Sequence, residues 1–325
     1  MRVIRRSIPF MIIGVMLAAA ASQAQSFKLP VTRNAALRYW EAFAVMQDQP
    51  ADASTKELIE NVLSGSAPWD EQRLGQLVEQ NRSAIQIMQG GTRLPECEWG
   101  EDFSAGYQAP IPEVWKARAL GRLNLLHGIR ALAQHDVATA TTAFVTGIRF
   151  AQHLSEDGPL VSILTADNLL LSDFQIVQRS VAGGQLDLQS KMKIYDAMRS
   201  LPKDTFAWAF NVRVEGLAEE SALKGLIASA NPGAFYQEWF GEALPQSAVL
   251  PSETDLSALR SYVDDVARAF EMPYEVTQER LNSLETKRKS LNPMLLRVVP
   301  NFSKSNDRRK QLESAREELS QQLKS

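Results

Sequence analysis

Almost every segment after residue 34 repeats its apolar residues at the 3.6-residue period of a helix, and none shows the alternation of a half-buried strand. Glycine and proline cut this pattern into pieces of helix length. Leu37, Trp40, Phe43 and Ala44 make the first stripe, with Asn34 placed as its N-cap. Ser54 and Glu57 have capping-box spacing ahead of Leu58, Ile59, Val62 and Leu63, and Gly65 suits the stop. A third helix is predicted over 71–89, ended by Gly90 and Gly91. The one long irregular stretch then covers roughly residues 90–111.

Pro112 stands where a helix can begin, followed by Leu120, Leu123, Leu126, Ile129 and Leu132 on one side. Asp136 caps the next predicted helix, whose stripe is Val137, Ala140, Phe144, Ile148 and Ala151. Gly158-Pro159 breaks the chain before a helix at 160–182 that is apolar on most of its circumference. Further helices are expected near 187–200, 204–229, 254–271, 274–290 and 305–323, with a proline- and aromatic-containing connection after residue 231. Leu295 to Val299, held between Pro293 and Pro300, is too short for a strand. The expectation is an all-α fold, an irregular array of stacked antiparallel hairpins, because short links between helices make neighbours antiparallel. With 45% hydrophobic and 22% charged residues the chain can bury a core, which excludes the disordered and collagen-like classes.

Residues 1–24 read as an address. Arg2, Arg5 and Arg6 precede an apolar run from Ile8 to Ala21, and Ser22-Gln23-Ala24 supplies small residues before a cleavage point. The run is short for a bilayer span, so a cleaved signal is expected, with a retained anchor as the alternative; no later stretch is expected to span a membrane. The expected organisation is a signal at 1–24, a helical body over 25–290, and a basic segment with a C-terminal helix over 291–325. Export places the chain in the periplasm or outside the cell. Loss of the signal takes the formal charge from −3 to −6. The single cysteine, Cys97, excludes a disulfide scaffold and reads as a small buried hydrophobe.

Few residues are arranged for chemistry. The irregular stretch holds Glu96, Glu98, Glu101 and Asp102, interleaved with Cys97, Trp99 and Phe103. Such crowding raises carboxylate pKa values unless a cation intervenes. It reads as a solvated acidic loop pinned by its aromatics, or as a binding site. Arg118 and Arg122 share one helix face, with Arg130 beyond them, and are expected to neutralise that loop or to clamp an external carboxylate or phosphate. Asp167 lies on the apolar stripe of the most hydrophobic helix, and a pair with Arg118, Arg122 or Arg130 is expected for it. His127, His135 and His153 lack metal-ligand spacing, and no phosphate loop, nucleophile elbow or zinc motif is present, so no cofactor is expected.

Charge is unevenly spread. Residues 287–310 carry Lys287, Arg288, Lys289, Arg297, Lys304, Arg308, Arg309 and Lys310 against Asp307 alone. With its apolar residues this stretch can lie on an anionic membrane surface or fold back on the acidic body of its own chain. An acidic exported chain is a poor partner for nucleic acid. The last stripe, Leu312, Ala315, Leu319 and Leu323, is wide enough for one partner helix.

Two resemblances attach to particular residues. The hairpin at 119–151 resembles a tetratricopeptide unit, with Gly128, Ala140 and Phe144 at its small, small and aromatic positions; Asn124, His127, Ala131 and Gln152 depart from it, and no 34-residue period recurs. The combination Asn34-Ala35-Ala36-Leu37-Arg38-Tyr39-Trp40, Cys97-Glu98-Trp99-Gly100, Gly158-Pro159 and Asn292-Pro293 resembles a group of uncharacterised exported helical proteins of environmental bacteria. That likeness implies helical fold and export and no activity. The functional expectation is a non-enzymatic protein-interaction or scaffold protein. The alternatives are a small-ligand binder or enzyme built on 96–102 with Arg118, Arg122 and Asp167, and a peripheral membrane protein using 287–310.

Overall fold

Asn34 opens the first helix and also fastens the acidic loop to it. Its Oδ1 accepts from the Ala36 amide at 3.0 Å and the Glu98 amide at 2.9 Å, and its Nδ2 donates to the Glu98 carbonyl at 2.8 Å. Beside it, the Ala35 amide donates to the Glu96 carbonyl at 2.6 Å. The computed structural model describes residues 32–47, 52–103, 106 and 111–324. The signal expected at 1–24 lies outside the described residues. Among the described residues the structure is all-α, the Asn34–Glu96 contact being an isolated bridge and not a strand.

The N-terminal helices are α1 (Ala35–Val45), α2 (Ala53–Ser64), α3 (Glu71–Gln80) and α4 (Arg82–Gly91). In α1 the buried side is Ala35, Ala36, Tyr39, Ala42 and Phe43, while Leu37 is exposed. The stripe predicted from Leu37, Trp40, Phe43 and Ala44 is thus out of phase. Alanines let α1 approach α4 closely, and Tyr39 turns inward because its hydroxyl finds a buried partner. The cap of α2 is Asp52, which accepts from the Thr55 amide at 2.8 Å, in place of the expected Ser54–Glu57 box. Gly65 ends α2 in the left-handed conformation, as its position suggested.

The single helix predicted over 71–89 is two helices broken at Asn81. The fully buried Asn81 side chain donates to the Leu77 carbonyl at 2.9 Å and accepts from the Gln47 amide at 2.8 Å. An amide that bonds the local backbone competes with helical hydrogen bonding, which is how asparagine interrupts an otherwise periodic run.

The centre is a run of three long helices, α5 (Pro112–Ala133), α6 (Val137–Ser155) and α7 (Leu160–Ala182), each packed on the others. Asp136 caps α6 through the Thr139 amide, as expected. A methyl group on Gly128 would come within 2.9 Å of the Phe144 ring and 3.2 Å of Ala143 Cβ, so the absence of a side chain there sets how closely α5 and α6 pack. By length and composition α7 would qualify to cross a membrane, against the expectation that no later stretch does. In the fold, 67% of that apolar window is covered by other helices, so its hydrophobicity is that of a core element.

The C-terminal half contains α8 (Leu188–Ser200), α9 (Trp208–Ala228), α10 (Pro232–Phe240), α11 (Glu253–Phe270), α12 (Tyr274–Lys289), the short α13 (Leu295–Val298) and α14 (Phe302–Lys324). The connection after residue 231 contains α10, which periodicity missed because nine residues are too few for a repeat to show. The helix predicted from 204 starts at Trp208, after a turn in which Thr205 takes a left-handed backbone. Helix α14 packs on α7, α8 and α12, and residues 291–324 belong to the same compact unit as the helices from α1 onward.

Arginines fix that return. Arg309 is fully buried: its guanidinium donates to the carbonyls of Phe270 and Met272 and to Thr277 Oγ1, and pairs with Asp204 at 3.3 Å. Arg316 donates to the carbonyls of Met198, Leu201 and Pro202, satisfying the open C-terminal end of α8.

Candidate binding groove

One face of α6 is left partly open. Thr139, Thr142, Thr146 and Arg149 succeed one another at helical spacing on the side away from Phe144, Ile148 and Ala151. The hydroxyls of Thr141 and Thr142 turn back onto the carbonyls of Val137 and Ala138, which leaves methyl groups and a shallow polar floor. Walls rise on both sides. Helix α4 supplies Arg82, Gln86 and Gln89, spaced so that they face one way, with Arg93 just past its end. Opposite stand His127 and Arg130 of α5 with Gln134 just past its end, then Lys193, Asp196 and Ser200 of α8. The space between them comprises two open cavities of about 520 and 360 Å³, adjoining at Gln89 and Thr142, which line both.

The two ends differ electrostatically. At the α5 end the cations are committed: Arg130 reaches Glu71 at 2.6 Å and Glu79 at 3.4 Å, and Arg82 reaches Glu79 at 2.7 Å. His127 between them is pushed below its ordinary pKa by burial and by Arg130 and Arg82, so its ring is neutral at pH 7. At the α8 end Arg93 and Arg149 form no ion pair among the described residues, and they stand with Lys193 against Asp196 alone. This end presents two guanidinium forks to whatever enters, the geometry suited to carboxylates.

The residues that the sequence singled out fall in three separate places. Glu96, Glu98 and Asp102 are exposed on the loop. Trp99 is buried: it stacks on Tyr39 and Phe43, and its Nε1 donates to the His153 carbonyl at 3.3 Å, so it anchors the loop as expected. Glu101 turns inward beside Glu113, and burial, then Glu113, raises its pKa to about 9. Cys97 is a buried free thiol, and burial pushes its pKa up. Among the described residues Arg118 and Arg122 form no ion pair with this loop. Arg122 pairs with Glu60 of α2 at 2.6 Å, and both arginines line a separate cavity of about 280 Å³ with Thr165 and Asn168. Asp167 takes none of the three arginines expected for it. Its partner is Arg308 of α14. The reason is topological: α14 returns alongside α7, a contact 141 residues away in sequence that helix periodicity does not encode.

The basic stretch is largely engaged with the body. Lys287 pairs with Asp265 at 2.5 Å, Arg288 with Glu285 at 3.2 Å and Lys289 with Glu285 at 4.0 Å. Arg297 pairs with Glu242, while Arg308 and Arg309 are tied as above; Lys304 and Lys310 remain exposed. Among the described residues no group of three or more His, Cys, Asp or Glu side chains is placed to hold a metal ion.

Sequence reading missed the groove residues Arg93, Arg149 and Lys193, although the Thr139–Thr142–Thr146 polar face of α6 was visible beside its apolar stripe. It also missed the buried acids Glu113, Asp173, Glu219, Glu220 and Glu313 and the half-buried Glu215, whose signal was the one used for Asp167: a carboxylate in phase with buried apolar neighbours. No family model, no curated protein and no solved structure matches the chain.

Proposed function

We propose that this chain is an exported, non-enzymatic interaction protein whose α4–α6–α8 groove binds an extended, acidic segment of another envelope protein. The observation that carries this reading is the pair of adjoining cavities along α6, with Arg93 and Arg149 in no ion pair among the described residues at one end. The groove suits an extended polypeptide: its cavities adjoin along α6 and are open, their floor is threonine, and their glutamines can bond a peptide backbone. Surfaces of this kind are what stacked, tetratricopeptide-like helical hairpins offer. Export rests on the signal read at 1–24 and on the likeness to exported helical proteins of environmental bacteria.

The test uses immobilised protein spanning 25–325 and envelope extract at low and moderate salt, with an Arg93→Glu/Arg149→Glu variant alongside. The expected result is a protein retained at low salt, released as salt rises, and absent from the variant. Equal retention by the variant overturns the assignment of the groove, and no retained protein in either salt overturns the interaction role.

A further inference from the structure

Helix α9 carries Glu215 and Glu219 one turn apart, on a face that meets α10 and the residues around α13. Glu215 is held by the start of α7, its Oε2 accepting from the Leu160 amide at 3.0 Å, where the helix dipole favours a negative charge. Glu219 has no such help. It is 6% exposed, and among the described residues neither carboxylate oxygen has a hydrogen-bond partner. Burial pushes its pKa well up, and the charge of Glu215 adds to the effect.

These two acids line a cavity of about 280 Å³. Trp239 and Phe240 of α10 form part of its wall, and Ala218, Ala222 and Val298 complete the apolar lining. The cation in the wall, Arg297, is engaged elsewhere: it pairs with Glu242 and lies over the rings of Tyr236 and Phe240, at 5.6 and 5.3 Å from their centroids. A buried carboxylate without a donor is costly unless it is protonated or matched by a positive charge. Aromatic rings beside it attract the same sign of charge through their faces. Two carboxylates fall well short of the six to eight oxygens that calcium takes, so the donor set favours an organic cation.

We infer that the α9–α10 cavity is a binding site for a small monoammonium ligand with a flat apolar body. The ammonium group bonds Glu219 and Glu215, and the body lies against Trp239 and Phe240. The site is distinct from the groove on α6, with no wall residue in common.

The test is calorimetric titration of the 25–325 protein with 2-phenylethylamine, with 2-phenylethanol as the uncharged counterpart. The amine is expected to bind and the alcohol to bind at least tenfold more weakly. Glu219→Gln, which removes a buried charge and should fold at least as well as the parent, is expected to lower amine affinity at least tenfold. Trp239→Ala should lower it for amine and alcohol alike, and Glu220→Gln, on the neighbouring salt-bridged position of α9, should leave it unchanged. The inference is overturned if the amine does not bind at millimolar concentration, if the alcohol binds equally, or if Glu219→Gln binds like the parent.

Discussion

Arg308 holds one oxygen of Asp167 with one edge of its guanidinium, Nε and Nη2 each 3.0 Å from Oδ2, and so joins the last helix to the most apolar one. Asp167 is wholly buried, and burial raises its pKa to about 6 despite the lowering effect of Arg308. The pair explains how a carboxylate can sit in the middle of α7. It also explains where the basic C-terminal stretch goes, since the same helix seats Arg309 and Arg316 against carbonyls of the body.

Replacing Arg308 with alanine should therefore destabilise the fold by on the order of 2–3 kcal/mol at pH 8, because it strands a buried charge whose partner was about a third exposed. The sign of the pH dependence follows from the raised pKa. Native Asp167 holds its proton up to about pH 6, whereas in the unfolded chain it releases it near pH 4, so its favourable contribution is complete below about pH 4 and is lost as pH rises through 6. Without Arg308 the native pKa climbs further, and the gap between variant and parent should widen from pH 5 to pH 8. Urea denaturation at both pH values checks this; an equal gap would mean that Asp167 finds another partner.

A second buried contact fixes the acidic loop. The Tyr39 hydroxyl and His153 Nδ1 are 2.6 Å apart. Burial, then Arg149, brings His153 down to a pKa of about 4, and burial raises Tyr39 well above its ordinary value, so the phenol donates and the neutral imidazole accepts. Tyr39→Phe removes the donor and should cost about 1–3 kcal/mol. It should also raise the His153 pKa, since the neutral ring loses its bond; an NMR titration of the imidazole proton reads this directly.

What the sequence made legible divides along physical lines. The helices announced themselves through local periodicity, and the caps at Asn34 and Asp136 and the stop at Gly65 follow from local chemistry that any reader of the chain can apply. Asn81 and α10 escaped because one depends on a side chain meeting Gln47 across a turn and the other has too few residues for a period to show. The candidate groove escaped for a different reason. It is made by the relative placement of α4, α6 and α8, and Arg93 and Arg149 become a pair only once those helices are packed. The acidic loop, conspicuous as a string of like charges, proved to be mainly a strap held by Trp99 and Asn34.

Membrane attachment through 287–310 has a quantitative expectation. Of its eight cations, only Lys304 and Lys310 form no ion pair among the described residues and remain exposed. At about 1 kcal/mol per basic residue near an anionic surface, two lysines fall short of stable binding. The 25–325 protein is expected to stay in the supernatant with phosphatidylserine vesicles at about 0.15 M salt. Sedimentation that disappears in Lys304→Glu/Lys310→Glu would instead support the membrane role.

Glu101 gives the loop a pH response of its own. Its carboxyl faces Glu113, which is 1% exposed, and among the described residues the four oxygens of the two groups have no hydrogen-bond donor outside the pair. Burial first and Glu113 second raise the Glu101 pKa to about 9, so at neutral pH its proton stays on in the native state and leaves in the unfolded one. By linkage its contribution to stability is greatest below about pH 4, where both states are protonated, and declines steadily as pH rises toward 9. Glu101→Gln keeps the shape and removes the titration. The variant should match the parent near pH 4, exceed it at pH 8, and show a flatter stability profile between them. Thermal denaturation across that range decides the matter, and parallel profiles for variant and parent would place the Glu101 carboxylate in water.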